Sequence, residues 1–425
     1  MSPDLPPDWR WPNRLAYVVS HSQPWSSNGY AIRSLAIARA LREAGHEVIV
    51  FTRPGRPWDI GGFEASGPVP LDHHLEGIRH IHLPALPQPG AGEDAHSETA
   101  AHILTRAFAV FRPAAVLGAS NWETAGPALR AARATGAEFM AEQRGFWEMG
   151  AGLSKAETRA AAAREADIAR AARAVFTLNE EMRAELARRG VPEDRILLVP
   201  NGLTRPAAAD AGIPQGPGRA AIGCQARYLL GYIGSLSAYE GVGDLPDLLA
   251  RLRRPGQGAP LDVALLVVGS DTPKGLIGAD RGGSHATLRA RARDLGVAEH
   301  LHILPQRPEA EAAELFRLCD LIVLPRRRTA VTALVPPIKP YAAAAQGVRV
   351  VLSDLPPLAR IAREIGGYLF PEGDVAAMAD VVREALRNPS PPPPPDPALA
   401  WAERIRPIST HLRQIARSEA MRLGL

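Results

Sequence analysis

The chain has 425 residues, 46% of them hydrophobic, which is enough for two or three globular domains with sizeable cores. Its formal charge of +4 is a mild bias for this length, and the arginines are dispersed along Ala-rich helical patterns. That is no nucleic-acid signature, so no nucleic-acid partner is expected; such patterns make solvated helix faces, or hold a protein loosely against an anionic membrane surface. Cys224 and Cys319 are the two cysteines and have no CxxC spacing, which excludes a disulfide framework and a thiolate zinc site. No stretch has the pattern of a secretory signal or approaches the roughly 18 apolar residues of a membrane span, so a cytoplasmic location is expected.

The first half alternates two kinds of signal. Apolar, Ile- and Val-rich runs at 15–20, 47–52, 80–84, 114–120, 137–142, 174–179 and 196–202 predict strands, and helical periodicity fills most of the gaps. The helix over Asn28 to Ala44 is closed by Gly45, a residue suited to a C-cap. Residues 204–220 are rich in Pro, Gly and Ala and read as a linker. The second half repeats the alternation, with strands predicted at 228–235, 262–270, 300–305, 321–325 and 349–354. Its helices are predicted at 243–254, 285–295, 309–318, 337–346 and 374–387. Strands alternating with helices predict two doubly wound, parallel-sheet, Rossmann-like α/β domains. Ligands in such folds bind beyond the carboxyl ends of the strands, and two such domains facing each other would enclose a cleft. The expected division is 1–203 for the first domain, 204–225 for the linker and 226–388 for the second domain. A proline-rich spacer and a last helix, Ala398 to Leu423, occupy 389–425, and that helix is expected to return to the first domain.

Four clusters invite chemistry. Arg326, Arg327 and Arg328 follow the strand at 321–325, and Lys339 stands beside Pro340 at the start of a helix. Lys155, Lys274 and Lys339 are the only lysines among 49 Lys and Arg, so a lysine at this position suggests an anion site, phosphate being the usual guest. A solvated basic loop beside an ordinary Pro-started helix fits the same residues. Gly234 and Ser235 follow the strand at 228–235, where glycine admits a close approach by pyrophosphate, or makes an ordinary strand-to-helix turn. Ser27, Asn28 and Gly29 follow the first strand, as an anion or hydroxyl contact or as a simple N-cap, without a GxGxxG fingerprint. Glu142, Gln143, Arg144, Gly145, Phe146, Trp147 and Glu148 combine groups that bind sugar hydroxyls and faces, although an Arg–Glu pair there serves structure equally well. No Ser/His/Asp triad and no metal-ligand spacing stands out.

In order and spacing these segments resemble retaining glycosyltransferases of the GT-B fold, family 4 (glycosyltransferase group 1). The resemblance rests on SSNGYAIRSLAIARALREAGHEVIVF, on GASNWETAGPALRAARATGAEF with MAEQRGFWE, on ARAVFTLNEEMRAELARRGVPEDRILLVPNG, on LGYIGSLSAYEG, and on LCDLIVLPRRR with LVPPIKPYAAAAQGVRVVLSD. It implies transfer of a sugar from a nucleotide-sugar to a glycan or glycolipid acceptor, as in bacterial surface polysaccharide synthesis, with retention of configuration and without a metal or other cofactor. In that pattern Arg326 and Lys339 hold the donor diphosphate and serve the chemistry. Gly234 and Ser235 add donor contacts, Glu364 is the candidate for the ribose, and Gly29, Arg144 and Glu148 line the acceptor side. The chain departs from the family in three ways. Ser235 and Glu240 stand where many members carry Arg and Lys. Leu334 and Ala342 stand where the family has its paired glutamates. Thr204 replaces the Asp of the usual NGVD. Losing a buried carboxylate contact to ribose is worth about 1.5–3 kcal/mol, or roughly 10- to 150-fold in binding. A degenerate, non-catalytic GT-B subunit that binds a partner transferase is therefore the alternative expectation.

Overall fold

The computed structural model describes residues 6, 8–26, 28–60, 68–85, 93–204, 218–255, 259–270, 285–388 and 396–425. Ser27, most of the expected linker (205–217) and the proline run 389–395 lie outside the described residues. The chain divides into two compact units, one of Met1–Pro200 with Trp401–Leu425 and the other of Asn201–Ala400.

Unit 1 begins with β1 (Trp11–Val19), α1 (Gly29–Glu43), β2 (Glu47–Thr52), β3 (Asp72–Leu75), β4 (Ile78–Ile81) and α2 (Glu93–Phe111). It continues with β5 (Pro113–Ala119), α3 (Trp122–Thr135), β6 (Glu138–Glu142), α4 (Lys155–Ala171), β7 (Val175–Thr177), α5 (Glu180–Arg188) and β8 (Ile196–Leu198). Its eight strands lie in the order β3-β4-β2-β1-β5-β6-β7-β8. Every residue of β5 is buried, as a parallel strand covered on both faces requires. One pair departs from the parallel expectation, since β3 runs antiparallel to β4. The cause is local: Glu76 and Gly77 both have positive φ (50° and 76°), the geometry of a tight two-residue hairpin turn. The Glu-Gly pair between DHHL and IRHI was the available signal for this strand.

Unit 2 comprises β9 (Tyr228–Ile233), α6 (Leu245–Arg253), β10 (Val263–Val268), α7 (His285–Asp294), β11 (Leu301–Leu304) and α8 (Glu309–Leu318). It ends with β12 (Leu321–Leu324), α9 (Lys339–Ala345), β13 (Arg349–Ser353), α10 (Pro356–Ile365), β14 (Tyr368–Phe370) and α11 (Val375–Arg387). Its six strands, all parallel, run β11-β10-β9-β12-β13-β14. This is a doubly wound sheet whose order reverses between β9 and β12, the point where such folds bind ligands. One face packs Leu230, Tyr232 and Leu265 against α6 and α11, and the other packs Leu229, Leu266 and Ile322 against α8 and α10. The buried Cys224 and Cys319 are free thiols of this second core, and burial pushes the Cys319 thiol up to about 12.

After unit 2 the chain forms α12 (Trp401–Arg404) and α13 (Arg406–Leu423). The single helix expected over 398–423 is divided, with Pro407 opening the second piece where its missing N–H costs nothing. α13 belongs to unit 1, where Ile408, Leu412 and Ile415 are buried. His46 Nε2 meets Ser409 Oγ at 2.8 Å, and Arg10 Nη2 donates to Glu419 Oε2 at 3.2 Å.

Unit 1 buries ionisable groups whose titrations act in opposite directions. Near the ends of β3 and β4, the ring of His73 stacks on those of His80 and His82 (centroids 5.4 and 5.2 Å apart). Burial, with the neighbouring histidines, pushes His80 and His82 down to about 3 and 4. The unfolded chain therefore binds more protons below about pH 6.5, and stability falls as pH drops through that range by about 1.4 kcal/mol per pKa unit. Glu165 is raised to about 7 by burial and by Glu148. The folded state then holds the extra proton, and this contribution is lost as pH rises from about 4.5 to 7. Urea unfolding of Glu165→Gln across this range should show a gain over wild type that grows to about 3 kcal/mol near neutrality and is constant above it. His80→Gln should flatten the decline of stability on the acid side, read by the same titration.

Candidate functional site

In unit 2 the switch point gathers residues from four places in the chain. β9 supplies Tyr232 and is followed by Gly234 and Ser235. The single-turn 3-10 helix Ala238–Glu240 supplies Tyr239 and Glu240. Arg326 lies two residues beyond β12, and Lys339 is the first residue of α9. Glu240 is 2% exposed, and its carboxylate accepts from Arg326 Nη2 at 3.0 Å, from Arg326 Nε at 3.3 Å and from Lys339 Nζ at 2.9 Å. Burial opposes its ionisation, yet the two cations hold it down at about 2. Burial lowers the Lys339 pKa, and Glu240 works against that. Lys339 Nζ also donates to Tyr232 Oη at 2.8 Å, and Tyr232 Oη donates to the Ser235 carbonyl at 2.5 Å. The Arg326 Nη1 donates to the Val335 carbonyl at 3.0 Å, and Ser353 Oγ donates to the Arg326 carbonyl at 2.7 Å.

Gly234 has its place in this arrangement for a steric reason. Its φ is +155°, and a Cβ there would stand 2.1 Å from Lys339 Cε, so the lysine stem lies directly on the glycine. The Gly234 N–H is bonded to the Val268 carbonyl at 2.8 Å. What Gly234 supplies is room. Gly241 is equally constrained, because a Cβ would overlap the Pro325 carbonyl oxygen at 1.9 Å. The neighbouring Arg327 is tied to Asp244 at 2.6 Å.

Glu364 does not join the cluster. It lies on α10, and its Oε2 accepts from Tyr341 Oη at 2.6 Å. Tyr341 is two residues beyond Lys339, about 200° round the helix. Ala342, by contrast, is one turn on from Lys339 and shares its side, without a carboxylate to offer.

In unit 1, Gly29 is the first residue of α1, and the Asn28 side chain caps that helix by accepting from Ala31 N at 3.0 Å. Arg144 is interior. It donates to Glu142 Oε2 at 2.7 Å, to Ser34 Oγ at 2.9 Å, to the Tyr30 carbonyl at 3.1 Å and to the Tyr17 hydroxyl. Glu142 also accepts from Arg33 Nε at 2.8 Å and from Tyr17 Oη at 2.5 Å. Burial would raise its pKa, but Arg144 and Arg33 bring it to about 2. Glu148, 2% exposed, pairs with Arg189 Nη1 at 2.7 Å. Arg144 is thus hydrogen-bonded inside the unit, while Glu148 is buried and paired by charge with Arg189 without a hydrogen bond to either carboxylate oxygen. Nearer the end of β1 stands His21, which burial, with Arg56, Arg53 and Arg144, holds at about 3 and therefore neutral.

Sequence reasoning missed Glu240 as the centre of the unit 2 cluster. The signal was that it is the only charged residue between Tyr228 and Val242. Tyr17, Arg33 and Tyr232 carried no such signal, because their partners are distant in the chain. Among the described residues, no group of three or more His, Cys, Asp or Glu is arranged to hold a metal ion.

Both halves of the chain match glycosyltransferase families. Residues 28–202 match the family described as a glycosyl transferase 4-like domain, and residues 224–404 match glycosyl transferases group 1. A D-inositol 3-phosphate glycosyltransferase of Catenulispora acidiphila is 24% identical over 398 residues, covering 89% of this chain and 88% of the relative. Among solved structures, sucrose-phosphate synthase of Thermosynechococcus elongatus superposes with a TM-score of 0.65 at 18% identity, covering 97% of both chains. Anabaena Alr3699/HepE, solved in complex with UDP-glucose, gives 0.63 at 14% identity, covering 97% of this chain and 99% of the other. With matches over both units and two α/β sheets of GT-B type, the chain belongs to the group 1 glycosyltransferases.

Proposed function

We propose that this glycosyltransferase moves a sugar from a nucleotide-diphosphate sugar, held by unit 2, to a glycan or glycolipid acceptor held by unit 1, with retention of configuration. The observation that carries this reading is the Lys339–Glu240–Arg326 cluster beside Gly234, at the topological switch point of unit 2. Breaking the glycosidic bond to a diphosphate leaves negative charge on the leaving group. A cation fixed in a largely buried site stabilises that charge without having to reorganise. Lys339 is the residue we assign to this role, with Arg326 beside it and Ser235 contributing through its hydroxyl. The leaving diphosphate would itself help accept the acceptor's proton, so the reading needs no metal and no other cofactor. The protein's remaining task is to orient the two reactants.

On the acceptor side, Gly29 is the contact we assign, with Arg144 and Glu148 shaping that side from within through Glu142 and Arg189. The Catenulispora relative is named for D-inositol 3-phosphate, so polyol phosphates belong in the acceptor screen beside glycans and glycolipids. No helix among the described residues is long and apolar enough to cross a membrane. We place the enzyme in the cytoplasm, with peripheral contact at the inner membrane surface where a glycolipid acceptor would lie.

A second reading, a non-catalytic subunit that binds a partner transferase, is favoured by Leu334 and Ala342 in the places of the paired glutamates and by the engagement of Glu364 with Tyr341. Thermal shift with UDP-, GDP- and ADP-sugars separates the two, because the enzyme should be stabilised by one donor and then hydrolyse or transfer it. Lack of any shift would favour the non-catalytic subunit. Lys339→Ala should lower donor turnover roughly 100- to 1,000-fold, the usual cost of losing one group that stabilises transition-state charge. Unchanged turnover would remove Lys339 from the mechanism. Gly234→Ala should displace the lysine stem and lower turnover in the same direction, with the Tm of the protein changed much less than its activity.

A further inference from the structure

Glu240 has a different relation to its site from that of the cations around it. A buried carboxylate is unfavourable unless paired, and both oxygens here are occupied by Arg326 and Lys339. Two cations and one anion leave the cluster with a single positive charge. The carboxylate itself would repel a phosphate, and its side chain is only 3% exposed. The Lys339 side chain is 16% exposed, against 7% for Arg326, so the ammonium is the more open of the two cations. An ammonium has three protons to donate. Glu240 Oε2 and Tyr232 Oη take two of them from different directions, and the stem is pressed on Gly234.

We propose that Glu240 is a positioning residue, which anchors Lys339 and Arg326 so that the third N–H of Lys339 and the cluster's remaining charge meet a donor phosphate, without Glu240 touching the nucleotide. This inference rests on the donor reading above. It inverts the family resemblance at this position: where many members carry a cation, this chain carries the anion that holds cations arriving from β12 and α9.

Because Lys339 is largely withdrawn from solvent, an anchor of this kind also decides its charge. The groups that face the ammonium are Glu240 from the 3-10 turn, Tyr232 from β9 and Arg326 from the segment after β12; Tyr239 adjoins Glu240 and Arg326, and Arg327 is paired with Asp244, which Asp247 and Glu372 also face. Burial and Arg326 favour loss of the proton, while Glu240 opposes it. Tyr232 and Tyr239 are pushed above the ordinary phenol range and stay neutral. Glu240→Gln keeps the shape of the anchor and removes its charge. Lys339 should then release its proton at lower pH, which simple loss of packing would not bring about.

The test uses full-length protein labelled with 15N at lysine Nζ, in which Lys155, Lys274 and Lys339 are the only lysines. Lys339→Arg assigns the signal. In wild type the ammonium should persist into alkaline solution and shift when UDP or inorganic pyrophosphate is added. In Glu240→Gln, its midpoint should fall by about one pH unit or more, and UDP affinity should drop roughly 10-fold from neutral to alkaline pH while wild type changes little. Glu240→Asp should restore much of the wild-type pH profile. The double variant Glu240→Gln with Lys339→Arg should be nearly independent of pH, since guanidinium does not titrate there. A folded Glu240→Gln protein with an unchanged Lys339 midpoint, or with a lowered midpoint and a wild-type pH profile for UDP, would overturn the inference while leaving the donor reading intact. Failure of every nucleotide and of pyrophosphate to bind wild type would overturn the donor reading, and the phosphate-facing role of Glu240 with it.

Discussion

A carboxylate buried between two cations, against a tyrosine from the first strand, organises each unit of this protein. In unit 1, Glu142 lies between Arg33 and Arg144 and accepts from Tyr17 of β1. In unit 2, Glu240 lies between Arg326 and Lys339, and Tyr232 of β9 receives the lysine. The constraint behind both is the same. Parallel strands end in a region where loops crowd together, and a charge enclosed there must be matched at once or it destabilises the fold by several kcal/mol. Each anion therefore fixes segments that the sheet alone does not hold. Glu142, at the end of β6, ties α1 to the sheet beside β1, and Glu240 ties the start of α9 and the segment after β12 to β9.

The choice of cation differs between the two, and chemistry follows from it. Unit 1 uses two arginines, which hold their charge and spread it over a planar fork. Both are interior and spend their hydrogen bonds on carbonyls, hydroxyls and Glu142, which is the pattern of a strut. Unit 2 pairs one arginine with a lysine, a compact charge that responds to its surroundings. In a chain where lysine is so scarce, that choice of cation sets the unit 2 cluster apart from the all-arginine cluster of unit 1.

The alternation of strands and helices was legible because it is local: apolar runs, their lengths and the glycines that end helices are all contained in short windows. Gly234, Arg326 and Lys339 could be singled out for a related reason, since each follows a strand or opens a helix. The sequence did not disclose what each side chain reaches. Arg33 and Glu142 are 109 residues apart, and Arg326 and Glu240 are 86 apart. No pattern within a window links such pairs. The sequence left Arg144 and Glu148 open between binding and structure, and the packing of α1 and α5 shows them turned inward. Glu364 is the opposite case, a residue in the right region whose carboxylate is held by Tyr341 on another side of α9. Strand β3 was missed because four residues with two histidines carry little apolar signal, although the turn that makes it was in plain view.

The placement of α13 in unit 1 bears on how the chain can be made. Unit 2 is an insertion: its ends are tied together where Leu203 N meets the Leu399 carbonyl at 2.7 Å, and Leu203 bridges Ala400. Every element of unit 2 is therefore synthesised before α13, and unit 2 has its whole core available while unit 1 still lacks Ile408, Leu412 and Ile415. Unit 1, though first off the ribosome, is the last to be completed. Contacts such as Arg10 with Glu419, 409 residues apart, close only at the end. During that interval the face of β1 that α13 will cover is bare, and that stage is where chaperone binding or aggregation would act.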